Sequence, residues 1–115
     1  MVSNPVTTSE DSPILALLGD MTAASLERSS LDSQSLMLVR IAALVAMDAP
    51  PMSYLMNLGM ASELGITTEQ VQGVLAAVAP IVGTTRIVAA ASKISRALGI
   101  AIAIAEEAEA DTEDA

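Results

Sequence analysis

Cysteine and histidine are both absent from the 115 residues. This chain's own side chains therefore supply no thiolate nucleophile, no disulfide, no imidazole base and no His/Cys zinc site. Aromatic residues are nearly absent as well: there is no Phe, no Trp and a single Tyr, Tyr54. Basic residues number only five, Arg28, Arg40, Arg86, Lys93 and Arg96. With so few cations and no aromatics on which bases could stack, nucleic-acid binding is excluded. Long apolar runs are missing too. The longest uncharged stretch, Gln70–Thr85, holds Gln72, Gly73, Pro80 and Gly83 and falls short of the roughly 20 apolar residues of a membrane helix. The opening MVSNPVTTSEDS is polar and is not a basic-then-apolar leader. The expectation is a cytoplasmic protein with no membrane span.

What is present is aliphatic. Hydrophobic residues make up 52% of the chain, far above the content of disordered sequences. The core must be assembled from Ala, Leu, Ile, Val and Met. Such side chains bury little area each, and a chain of this length buries a limited share of its surface. That much apolar surface implies cover by further copies of the chain, hence a homo-oligomer. The net charge of −9 sits at the ends. Glu106, Glu107, Glu109, Asp111, Glu113 and Asp114 crowd the last ten residues, Glu10 and Asp11 lie near the start, and the stretch between is almost balanced. The expected organisation is a disordered arm over 1–11, one helical domain over 12–105 and an acidic disordered tail over 106–115.

The chain reads as all-α. Ser12-Pro13 supplies an N-cap and a proline in the first helical position, opening a helix over 13–29 that Ser29-Ser30 ends. Asp32 caps a helix over 33–48 that is apolar nearly all round, which marks it as central; Asp48-Ala49-Pro50-Pro51 ends it. A third helix runs over 51–64 with Gly65 as its stop. Thr67 with Gln70 forms a capping-box pattern opening a helix over 68–79, and Pro80 and Gly83 punctuate a bend. A last helix spans 84–106, with Ile87, Val88, Ala91, Ile94, Leu98, Ile102 and Ala105 facing inward. The alternation in Gly99–Ala105 is isolated after a helical pattern and is read as helix.

These blocks resemble the carboxymuconolactone decarboxylase family, which includes the alkyl hydroperoxide reductase D-type proteins. The resemblance rests on Leu38–Val45 (LVRIAALV), the turn near Pro50, the run ASELGITTEQVQGVL over 61–75 with Ala61, Gly65, Thr67, Gln70 and Val71, and Pro80–Arg86 (PIVGTTR), and covers roughly residues 13–105. It implies a five- to six-helix bundle assembled as a trimer or hexamer, with sites near subunit contacts. The redox branch of the family carries Cys-x-x-Cys-x-x-x-His, with a Glu one helix earlier. By spacing from Ala61 and Gly65, its His position is Asn57, its Cys positions are Ser53 and Pro50, and its Glu position is near Leu38. All four are replaced, so the resemblance implies the fold and the assembly but not peroxidase or disulfide-reductase chemistry. The decarboxylase or lactone reading is weakened with it, because that chemistry uses the same His region.

The candidate pocket is Ser53, Tyr54 and Asn57, with Arg40. Tyr54 can donate a proton or a hydrogen bond and Asn57 can orient a ligand carbonyl; the simpler role is that of polar groups satisfied locally on a partly buried helix. Arg40, set among apolar residues, needs a partner: Asp20, Asp48, Glu63 or a ligand carboxylate. Met52, Met56 and Met60 recur at one-turn spacing, with Met47 nearby. Thioethers bind soft Cu(I), but more often fill an adaptable core or interface. Gly83-Thr84-Thr85-Arg86 opens a helix whose N–H groups favour anions, though capping by a threonine suffices there. Asp20, Glu27, Asp48, Glu63 and Glu69 are scattered, with no i, i+3 or i, i+4 pair among them, and no metal or cofactor is implied. Two functions follow: a non-redox oligomeric scaffold or small-molecule binder, or an enzyme with a pocket rebuilt around Tyr54, Asn57 and Arg40 for a small carboxylate.

Overall fold

Local capping chemistry sets where the helices begin. In the computed structural model, which describes residues 12–114, they are α1 (Pro13–Arg28), α2 (Ser33–Met47), α3 (Pro51–Glu63), α4 (Thr68–Val82) and α5 (Thr84–Asp114). The arm over 1–11 lies outside the described residues. Among the described residues there is no strand, and every regular element is an α-helix, as the sequence pattern requires.

Ser12 Oγ accepts from the Leu15 amide at 3.2 Å, with Pro13 in the first turn. Asp32 Oδ1 accepts from the Ser35 amide at 2.8 Å. Thr67 and Gln70 close the reciprocal capping box, at 3.1 Å from the Gln70 amide to Thr67 Oγ1 and 2.9 Å from the Thr67 amide to Gln70 Oε1. Each such cap satisfies an amide that the helix itself leaves unpaired. Gly65, at φ 84°, stops α3. The Ile66 amide reaches back to the Ala61 carbonyl and the Gly65 amide to the Ser62 carbonyl, both at 3.0 Å. This is the six-to-one and five-to-two closure that a left-handed residue permits.

Two helix ends differ from the sequence-based expectation. α4 continues through Pro80 to Val82. The ring lies in the final turn, where only one backbone bond is forfeited, and the Gly83 amide still closes on the Ala79 carbonyl at 3.0 Å. α5 does not end at 106 but carries the acidic segment as helix to Asp114, 31 residues in all. Glu and Ala are strong helix formers, which outweighs the unfavourable placement of acids near a helix C-terminus.

The chain divides into two compact units, Met1–Leu31 with α1 and Asp32–Ala115 with α2 to α5. In the second, α2 packs on α3, α4 and α5, and α3 on α5; α2 is central, but it is not buried all round, since Val39 is 56% and Met47 78% exposed. Met37, Ile41, Val45 and Tyr54 are its largest fully buried side chains. Leu36, Leu58, Ile66, Val71, Val74 and Ile94 surround them, with Ala49, Ala61, Ala90 and Ala97 letting backbones approach. The inward face of α5 is Ile87, Ala90, Ile94, Ala97 and Leu98, whereas Val88 and Ala91 are exposed. On an alanine-rich helix the small residues mark the close contact, so larger side chains are a poor guide to the buried face. Ile102 and Ala105 lie outside the residues whose side chains are described. In the first unit no residue of α1 is buried.

Candidate functional site

Ser53, Tyr54 and Asn57 occupy the first two turns of α3, which starts at Pro50-Pro51 because proline suits a position needing no amide donor. Tyr54 points into the core and is 0% exposed. Ser53 and Asn57, one turn apart, are half-buried. The Asn57 carboxamide donates through Nδ2 to the Ser53 carbonyl at 2.9 Å, so one of its two N–H donors is used on its own helix. Arg40 is half-buried on α2.

The Tyr54 hydroxyl is buried and has no hydrogen-bond partner among the described residues. Such a group carries a desolvation penalty of about 1–3 kcal/mol. Burial, and secondarily the negative charge of Asp48, push its pKa above the usual tyrosine value. The phenol is thus held neutral, a donor rather than a base, inside a packed core. Proton transfer to a ligand would require that core to open.

An open apolar groove of about 80 Å³ lies elsewhere in the same unit, lined by Leu58, Ala61, Ser62, Ile66, Thr67, Thr68, Val71 and Leu98. It includes none of the candidate pocket residues. Sites for drug-sized ligands run to roughly 300–1,000 Å³, so this groove holds one aliphatic side chain at most. The four candidates are therefore not gathered around this groove.

The charged residues make a different arrangement. Asp48 ends α2 in the left-handed conformation, φ 54° and ψ 52°, which Asp tolerates better than most residues. Its carboxylate pairs with Lys93 of α5 at 2.8 Å, Oδ1 to Nζ, and Arg86 donates through Nη1 to the Ala46 carbonyl at 2.5 Å. Two cations from α5 thus meet the negative end of the α2 dipole. The Lys93 hydrogen bond and charge, with a smaller contribution from Arg86, hold the Asp48 carboxyl below the usual carboxylate value. Asp48, one of the acids expected beside Arg40, is committed to Lys93. Sequence reading missed this clamp; its one signal was the seven-residue spacing of Arg86 and Lys93, which places both on one face of a helix. Gln34, also missed, donates through Nε2 to the Leu64 carbonyl at 2.9 Å, tying the start of α2 to the end of α3.

The methionine stripe does not fill the core. Met52 is 62% exposed, Met56 69% and Met60 38%, and Met47 on α2 is 78% exposed. Among the described residues no three His, Cys, Asp or Glu side chains group as metal ligands do, and no helix is long and apolar enough to cross a membrane.

No curated protein and no solved structure matches the chain significantly. A family model does, over residues 13–97, which takes in α1 to α4 and the packed half of α5. The chain belongs to the carboxymuconolactone decarboxylase family.

Proposed function

We propose that this chain is a non-redox member of its family that serves as a self-associating helical scaffold. The observation that carries the reading is the state of Tyr54. Where a pocket rebuilt for catalysis needs a reachable phenol, the hydroxyl is sealed in the core at 0% exposure. Asn57 already uses one amide N–H on the Ser53 carbonyl of its own helix. Positions 38, 50, 53 and 57, which resemble those of the family's Glu, Cys, Cys and His, hold Leu, Pro, Ser and Asn. A serine hydroxyl needs an adjacent base to act as a nucleophile, and the chain has no imidazole to serve as one. Self-association is supported by the exposed apolar side chains of α1 and α3, which exceed what isolated surface residues need.

Two measurements test this reading. Turnover of hydrogen peroxide or an organic hydroperoxide with a thiol reductant should match the no-enzyme control. Light scattering at micromolar concentration should return a multiple of 11.7 kDa. A thiol-dependent peroxidase rate, or a monomeric mass, contradicts it.

A further inference from the structure

We infer that α1 of one copy lies along the methionine face of α3 in a second copy, and that the contact is reciprocal. This rests on the self-association proposed above and names the surfaces that carry it.

On α1, Ile14, Leu17, Leu18 and Met21 recur at i, i+3, i+4 and i+7, one seam of a helix. All four are exposed, and no residue of the helix is buried. A helix of 16 residues is only marginally stable in water on its own, so most of its stability must come from packing that apolar face. On α3, Met52, Met56 and Met60 are likewise exposed. The segment from Pro51 to Ser62 carries no charged residue, so covering it strands no ion. The two seams match in length: at 1.5 Å per residue, Ile14 to Met21 and Met52 to Met60 each span about 11 to 12 Å. Gly59, within the α3 seam, has open space where a Cβ would stand, so a second helix can approach closely there. Methionine is flexible enough to fit around branched aliphatic neighbours.

Area decides between a single and a reciprocal contact. A fully buried aliphatic side chain removes roughly 100 Å² from water, and these seven side chains are each about half exposed. One α1-on-α3 contact therefore covers on the order of 400 Å² of apolar side chain. Two related by a two-fold axis cover about 800 Å². With apolar atoms making up roughly 60% of an interface, the total comes to about 1,300 Å², within the range of stable protein–protein contacts. A single contact falls below it.

Because the chain has no cysteine, a disulfide gives a clean report. Leu18→Cys and Met56→Cys are made in separate, differently sized tagged chains, mixed, oxidised and separated without reductant, alongside wild-type mass measurement. The expected result is a mixed covalent dimer, and neither variant alone cross-linking to more than a small fraction of that yield. Met56→Cys chains cross-linking chiefly to one another would mean that stripe meets stripe, which overturns this inference and leaves self-association standing. A chain carrying both Leu18→Cys and Met56→Cys is oxidised in parallel, and an intramolecular bond as its main product overturns the inference in the same way. An oligomeric mass with no cross-link between the two positions also overturns it alone. A monomeric wild-type mass overturns both.

Discussion

α1 and α2 are nearly equal in length, 16 and 15 residues, and both are largely aliphatic. Their fates differ: α2 buries Leu36, Met37, Ile41 and Val45, and α1 buries nothing. Hydrophobic content therefore does not decide which helix a single chain can cover. What separates them is position. α2 is met by α3, α4 and α5, and its C-terminus is held by Lys93 and Arg86. The seam of α1 is as regular as any in the chain, yet what covers it is not encoded in its own pattern.

Substitutions in the two units should have different consequences. In the α2–α5 unit, Tyr54→Ala empties the largest buried volume and should cost about 3–5 kcal/mol in urea unfolding. That loss should not depend on protein concentration. Next, Gly65→Ala should cost about 1–2 kcal/mol. Its φ is 84° and the added Cβ would meet only Gln34 Nε2, at 3.5 Å, so the penalty is conformational rather than steric. Thr67→Ala removes one half of the capping box and should cost about 1 kcal/mol. On α1, Leu18→Ala should change stability by less than about 0.5 kcal/mol in dilute protein, as for any exposed side chain. The loss should grow with concentration as copies cover the helix. A Leu18 effect as large as that of Tyr54 and insensitive to concentration would erase the distinction between the units.

The smallest expected effects are those of pH. Tyr54 ionises at higher pH folded than unfolded. The stability this supplies is complete below the unfolded value near 10 and is lost as pH rises through the folded value. Tyr54→Phe should move the alkaline unfolding midpoint upward and, by removing an unpaired hydroxyl, leave neutral stability equal or slightly raised. Asp48 and Asp32 are shifted the other way, below 3.8, Asp48 chiefly by the Lys93 hydrogen bond and Asp32 by the Ser35 amide. Their contribution is present above that value and disappears as pH falls through the folded values. Asp48→Asn keeps a residue that accepts the left-handed turn and should flatten the acid limb at low salt, with less effect at high salt.

Much of the fold was legible because its signals are local. Ser12, Asp32 and the Thr67–Gln70 pair sit within one turn of the amides they cap, and Gly65 ends α3 through its own φ. The end of α4 was less so, since Pro80 forfeits a single amide donor and the helix closes only afterwards, at Gly83. The acidic stretch was read by its charge, and its helical propensity prevailed. The Lys93–Asp48 pair joins residues 45 apart, a separation that no local pattern spans. In the candidate site, spacing placed Ser53, Tyr54 and Asn57 together on α3, but not which way each faces. Tyr54 and Asn57 differ by three residues, yet one is sealed and the other half open, and only the packing of α2 and α5 against α3 decides that.

On the reading proposed above, other copies of the chain cover the apolar faces of α1 and α3. The most direct test is the native mass of the full-length protein at micromolar concentration. The expected result is an assembly of two or more 11.7 kDa chains that falls apart when Met56→Asp places a charge on the α3 face. A wild-type mass of one chain, unchanged by that substitution, would contradict it.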